Sequence, residues 1–200
     1  GAMVSEIMMN KTSYIAIASD VIHPGHLNLI NKATELGSLI IGVLTDEAIA
    51  TYKRLPALSL QDRLTMAKSI KGVSKVVVQE SLDYVPNLEK YRPDYLVHGD
   101  DWKVGPQKSI RERAIDTLLL WGGQLIELPY STKYPDTLRS MPIGIGTPEY
   151  RRKSLVRLLE AKNTLRFLDV HNALSGVIVE KAIYKSIMIK LFYVKKDEKE

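Results

Sequence analysis

Apolar runs of strand length alternate with segments of helical period along most of this chain. Tyr14–Ala18 is the first run, and Leu39–Leu44 is apolar throughout, as a strand covered on both faces has to be. Val73–Val78, Tyr95–Val97 and Gln124–Leu128 bring the series to five. Between them the period lengthens. Leu27, Ile30, Ala33 and Thr34 share one face of Leu27–Leu36, and Ser59 stands where an N-cap is needed for a helix ending near Ile70. Further helices are predicted at Val85–Tyr91 and Lys108–Trp121. This alternation predicts an α/β fold, a Rossmann-like doubly wound parallel five-stranded sheet. Such sheets bind ligands beyond the carboxyl ends of their strands, where the strand order reverses. His23–His26 follows the first strand and Gly99–Trp102 the fourth, so both are expected on that edge.

The pattern changes near Tyr150. Glycines between Pro142 and Pro148 mark residues 141–149 as a linker, and residues 150–200 read as a C-terminal helical appendage. Arg152–Ala182 carries Leu155, Leu158, Leu159, Leu165 and Leu168 at helical spacing, and Ile187–Val194 is apolar. Fewer than about sixty residues hold an independent core poorly, so the appendage is expected to pack on residues 14–140 or on a second subunit. Gly1-Ala2 before Met3 reads as a tag-cleavage scar, and residues 1–13 as a disordered lead.

Composition narrows the function classes. The absence of cysteine excludes disulfides and thiolate metal sites. No run approaches the roughly 20 apolar residues of a membrane span, and no secretory h-region follows the start, so no membrane partner is expected and a cytoplasmic location is. The net charge of +5 is mild and spread out, apart from Arg151-Arg152-Lys153 and the mixed tail Lys195–Glu200. Nucleic acid is therefore not an expected partner.

The chemistry centres on His23-Pro24-Gly25-His26. A helix start offers unpaired N–H groups and a positive dipole end to an anion. Gly25 lets the backbone come close, and each imidazole adds a hydrogen bond or a charge. Two neighbouring histidines arise easily by chance, and the strand-to-helix setting is what gives them meaning.

Three ordered pieces resemble the HxGH nucleotidyltransferases, and among them the cytidylyltransferases: Ala18–His26, Thr45-Asp46-Glu47 followed by Tyr52-Lys53-Arg54 and Arg63, and Gly99-Asp100-Asp101-Trp102. Residues 14–140 would then be a cytidylyltransferase domain. The resemblance implies CTP as substrate, Mg²⁺ carried by the triphosphate with Asp20 as a candidate ligand, and a homodimer. It makes His23, His26 and Lys53 the catalytic set. Ser19, Asp20, Gly25, Gly99, Asp100, Asp101, Ser131 and Thr137 would bind nucleotide; Arg54, Arg63 and Trp102 would meet the acceptor. Arg63 has a plainer reading as an ion pair with Asp62 or another neighbour, Trp102 as a cover for its turn. His98 is expected in packing, and His171 receives no role.

Pro135 and Asp136 depart from the family's hydroxyl-rich loop. Proline removes an N–H donor and aspartate repels phosphate, so Lys133 and Arg139 would have to compensate. Ser19–His26, Leu44–Pro56 and Leu82–Leu88 are similar to cytidylyltransferase domains fused ahead of phosphoenolpyruvate mutases in phosphonate biosynthesis, and Leu158–Lys162 with Val170–Glu180 resembles the opening of such a mutase. A mutase barrel needs about 250 residues, so that activity cannot reside here; the chain is expected to be a truncated or cut bifunctional protein. The expected acceptor is a small phosphonate, 2-hydroxyethyl- or 2-aminoethylphosphonate. The alternatives are a phosphate monoester such as glycerol 3-phosphate, and an impaired nucleotide-binding or dimerisation module. An adenylyltransferase is less expected, given the Gly99–Trp102 turn.

Overall fold

In the computed structural model, which describes residues 11–19, 22–52, 55–129 and 148–162, five strands lie parallel in one sheet: β1 (Thr12–Ile17), β2 (Ser38–Leu44), β3 (Val73–Gln79), β4 (Tyr95–Gly99) and β5 (Gln124–Leu128). Their spatial order is β3-β2-β1-β4-β5. The chain thus steps outward from β1 through β2 to β3, then returns to build β4 and β5 on the other side of β1. The order reverses between β1 and β4, and a crevice at their carboxyl ends follows from that topology.

The helices are α1 (Pro24–Leu36), α2 (Asp46–Ala50), α3 (Leu60–Lys68), α4 (Val85–Tyr91), α5 (Lys108–Leu119) and α6 (Pro148–Ala161). Alternate residues of a strand face opposite sides, and β1 shows the consequence. Ile15 and Ile17 join Ile30 and Ala33 of α1 and Ala67 of α3 in one core cluster, whereas Tyr14 joins Leu88 of α4 and Ala114 and Leu118 of α5 in the other. Every residue of β2 from Leu39 to Leu44 is buried, which is why that strand reads as unbroken apolar sequence.

One polar network crosses the α4–α5 face. The buried Tyr14 hydroxyl donates to Gln79 Oε1 (2.7 Å) and accepts from Asn87 Nδ2 (2.8 Å), so β1, β3 and α4 are tied together. Burial pushes the Tyr14 phenol well above its ordinary value, keeping it a neutral donor. A Cβ on Gly42 of β2 would run into that hydroxyl, so the glycine makes room for the network.

Several boundaries differ from the pattern-based expectation, each for a local reason. Helix α1 starts at Pro24 rather than Leu27, because His23 serves as its N-cap. The five-residue α2 has no periodicity to read, yet Thr45 Oγ1 accepts from Ala48 N–H at 3.2 Å and starts it. Helix α5 stops at Leu119, and the chain reverses through Gly122 at φ 77°. Helix α6 begins inside the stretch read as linker. It packs against α2, with Leu158 buried and Arg157 reaching the α2–α3 connection. Strand β1 starts at Thr12, inside the lead expected over residues 1–13. Residues 1–10 of that lead, most of the linker and residues 163–200, with His171 and most of the mutase-like run, lie outside the described residues. Among the described residues, no helix is long and apolar enough to cross a membrane.

Candidate active site

The site forms where two strand ends meet at the reversal. Tyr14 of β1 is level with Leu96 of β4, so continuing the register brings the end of β1 level with Gly99. Ser19 and the His23–His26 corner follow one strand, and the Asp100–Trp102 3₁₀ turn follows the other.

The corner is a reciprocal cap. His23 has extended backbone (φ −112°, ψ 168°), its Nδ1 accepts the Gly25 N–H at 3.1 Å, and its own N–H points to His26 Nδ1 at 3.4 Å. The His26 N–H in turn donates to the His23 carbonyl at 2.8 Å. The two rings lie 4.0 Å apart and are tilted by 34°. Because each Nδ1 accepts from backbone, the neutral form of each ring carries its hydrogen on Nε2. The corner therefore sets both Nδ1 atoms toward backbone N–H groups at a helix N-terminus. A Cβ on Gly25 would stand 2.8 Å from His23 Cε1 and 2.9 Å from its Nδ1, so only glycine leaves the ring in place.

Across the crevice, the Gly99–Trp102 turn is anchored from below. Trp102 is 1% exposed, its indole stacks on His98 (3.8 Å between centroids, 12°), and its Nε1–H donates to Glu127 Oε1 at 2.8 Å. Arg111 of α5 grips both oxygens of that carboxylate, at 2.8 and 2.9 Å. The Arg111 hydrogen bonds hold the Glu127 carboxyl at about 2; burial opposes this, and Trp102 and Lys103 assist. His98 donates from Nδ1 to the Gly99 carbonyl at 2.7 Å, and burial keeps its imidazole below the ordinary range, hence neutral at pH 7. Asp101 is half exposed, 3.8 Å from His98 Nδ1.

Two expectations are corrected. Trp102 does not line an acceptor pocket: it is a buried prop under the turn. Arg63 does not present its fork to an anion. It is fully buried, donating to the Leu44 carbonyl (2.6 Å) and to Asp46 Oδ1 (2.8 Å), while Asp62 is taken up by the Ser59 cap. A guanidinium is buried at tolerable cost only against a carboxylate, and Asp46 at the start of α2 supplies it. Asp20, Lys53, Arg54, Ser131 and Thr137, with Lys133, Pro135, Asp136 and Arg139, lie outside the described residues.

Residues 19–127, more than half of the chain, match the Cytidylyltransferase-like family. The chain belongs to that family. Among curated relatives, the ethanolamine-phosphate cytidylyltransferase of Arabidopsis thaliana is 38% identical over 93 residues, 44% of this chain and 22% of that one. The enzyme of the same name from Mus musculus is 41% identical over 86 residues, 41% and 21% of the two chains. The chain thus spans about a fifth of the length of these relatives. An FAD synthase from Methanothermus fervidus is 33% identical over 104 residues, covering 48% of this chain and 72% of that one. The crystal structure of the lipopolysaccharide core biosynthesis protein from Thermoplasma volcanium superposes with a TM-score of 0.50 at 18% identity. It covers 60% of this chain and 96% of that one, and shares the fold.

Around this cytidylyltransferase-like domain, sequence reading quotes Asp46 within Thr45-Asp46-Glu47 without a role, and it misses Glu127, Arg111 and Arg157. Asp46 had a usable signal, since an acid directly after a Thr cap marks a helix start. Glu127, Arg111 and Arg157 are ordinary charged residues of strand or helix, recognisable only by their partners.

Proposed function

We propose that the protein transfers CMP from CTP to a small acceptor with a terminal phosphonate or phosphate, releasing pyrophosphate. The reading is carried by one juxtaposition: the His23–His26 cap and the Gly99–Asp101 turn flank the strand-order reversal of a cytidylyltransferase-like domain. An acceptor oxygen forms a new bond to the α-phosphorus while the bond to the pyrophosphate oxygen breaks. Such transfers depend on positioning and charge stabilisation. His23 and His26 donate from Nε2 to phosphate oxygens, and the first N–H groups of α1 add the helix-end field. Lys53 brings a cation to the phosphates, and Arg54 meets the acceptor oxoanion. Ser19 and Asp20 orient the nucleotide, Ser131 and Thr137 give hydroxyls to the triphosphate, and Gly99, Asp100 and Asp101 face the base. Arg63 and Trp102 act through what they hold.

Among the described residues no three His, Asp or Glu side chains gather into a metal cage. The half-exposed carboxylate of Asp101, beside Asp100 and with Asp20 as a candidate, fits a Mg²⁺ ion held mainly by phosphate oxygens and water. When bound, that ion neutralises triphosphate charge.

For the acceptor we favour 2-aminoethyl- or 2-hydroxyethylphosphonate, on the similarity of Ser19–His26, Leu44–Pro56 and Leu82–Leu88 to phosphonate cytidylyltransferase domains. Ethanolamine phosphate, the substrate named for the plant and mouse relatives, shares the ammonium and oxoanion of 2-aminoethylphosphonate and differs by the ester oxygen. A second reading, adenylyl transfer to a flavin nucleotide, draws on the FAD synthase relative. Pyrophosphate release decides among them, measured for each nucleoside triphosphate with the two phosphonates, ethanolamine phosphate, glycerol 3-phosphate and flavin mononucleotide. CTP with a phosphonate is expected to give the highest kcat/KM. ATP with flavin mononucleotide would overturn the base assignment, and CTP binding without turnover on any acceptor would leave a nucleotide-binding module.

Gly25→Ala tests the corner without removing a catalytic group. The added methyl displaces the His23 ring, and misplacement on the ångström scale costs about 10²-fold in rate. The expected result is a fall of that order in kcat with a small change in melting temperature. Parental kcat would show that the close approach is unnecessary.

A further inference from the structure

We infer that Arg157 is a positioning residue, the means by which helix α6 fixes the α2–α3 connection at the carboxyl edge of the sheet; the inference rests on the transfer reading above. Its guanidinium has five N–H donors, and the structure gives it five contacts. Nε and Nη2 meet Asp46 Oδ2 at 2.9 and 2.8 Å, Nη1 meets the Pro56 and Ala57 carbonyls at 3.1 and 3.2 Å, and Nη2 meets the Leu58 carbonyl at 3.1 Å. Three successive carbonyls converging on one point repel each other unless a cation stands there, and residues 55–58 belong to no helix or strand. A lysine would bring charge but only three donors from a single nitrogen, and could not reproduce the planar fork.

The anchored segment matters by its place. It joins α2, which starts at the end of β2, to α3, whose Arg63 binds the Leu44 carbonyl at that same strand end. Asp46 receives Arg157 on one oxygen and Arg63 on the other, so α2, α3 and α6 share one carboxylate. In sequence, Leu55–Ser59 directly follows Lys53 and Arg54. Arg157 thus anchors three carbonyls, those of Pro56, Ala57 and Leu58, from a helix some hundred positions downstream.

The test compares the full chain with Arg157→Lys and Arg157→Ala. Three readouts are taken: kcat and KM for CTP and for the acceptor, melting temperature, and the ¹⁵N heteronuclear NOE of the Ala57 and Leu58 amides, which reports fast local motion. Both variants are expected to lose about tenfold or more in kcat while KM for CTP stays within about threefold. The NOE should fall at Ala57 and Leu58 and hold elsewhere, and lysine should not rescue. Unchanged kcat, an unchanged NOE at those two amides, full rescue by lysine, or a loss of order spread over the whole domain would each overturn the positioning role. A parent chain with no turnover on any nucleotide and acceptor sinks the transfer reading and with it the kinetic role. The NOE then still decides whether Arg157 is the anchor of the connection.

Discussion

His23→Ala is expected to reduce kcat by about 10²–10³-fold, the cost of removing one preorganised donor to developing charge, and to lower stability by about 1 kcal/mol through loss of an N-cap. The two effects come from different nitrogens. Nδ1 accepts the Gly25 N–H and starts α1, whereas the proposed transfer uses the hydrogen on Nε2. His23→Asn separates them, since asparagine is among the best N-caps but cannot place a donor where the imidazole Nε2 stands. Stability should return with asparagine and turnover should not. Steady-state pyrophosphate release and urea unfolding on the three proteins measure both quantities. Recovery of turnover with asparagine would mean that His23 serves only to start the helix, and would move the chemistry to His26 and the cations. His26→Ala differs again: its Nδ1 receives the His23 N–H at the longer distance of 3.4 Å, so a smaller stability loss should accompany the lost donor.

What could be read from the residues was what depends on local pattern. Leu39–Leu44 announces a buried parallel strand because both its faces are covered, and His23–His26 announces a candidate corner at a helix start because cap, glycine and imidazoles lie within four positions. What could not be read depends on partners distant in sequence. Arg63 looked like an anion clamp until Asp46, 17 positions away, was found to hold it inside. Trp102 looked like a pocket wall until Glu127, 25 positions on, was found to take its indole N–H. Arg157 gave no sign at all, its carboxylate lying 111 positions upstream. The five-residue α2 failed for another reason: it is shorter than two turns and has no amphipathic period. Motif spacing thus points to the candidate site, and tertiary ion pairs decide which of its charged residues are held inside the fold.

Those ion pairs give the chain an acid sensitivity that Glu127 should dominate. The Arg111 fork first, with Trp102 and Lys103, pushes its carboxyl down to about 2 from the ordinary carboxylate value near 4.5. A carboxyl depressed on folding stabilises the fold fully above its unfolded value and loses that contribution as pH falls toward its folded value. The window is therefore about pH 4.5 down to about pH 2, and at 1.36 kcal/mol per pH unit the contribution is roughly 3 kcal/mol. Glu127→Gln keeps the shape and an acceptor for the Trp102 indole but removes the charge, leaving Arg111 without its partner. At pH 7 the variant should be less stable by about 2–3 kcal/mol, and the difference should shrink as the parent's carboxylate protonates below pH 4.5. Urea unfolding of both proteins between pH 2.5 and pH 7 tests this, and a difference constant across that range would show that the anchor works by packing rather than by charge. Because Glu127 also holds Trp102, and through it His98 and the Gly99–Asp101 turn, the same substitution should raise KM for the nucleotide at pH 7, where the turn loses the underside that fixes it.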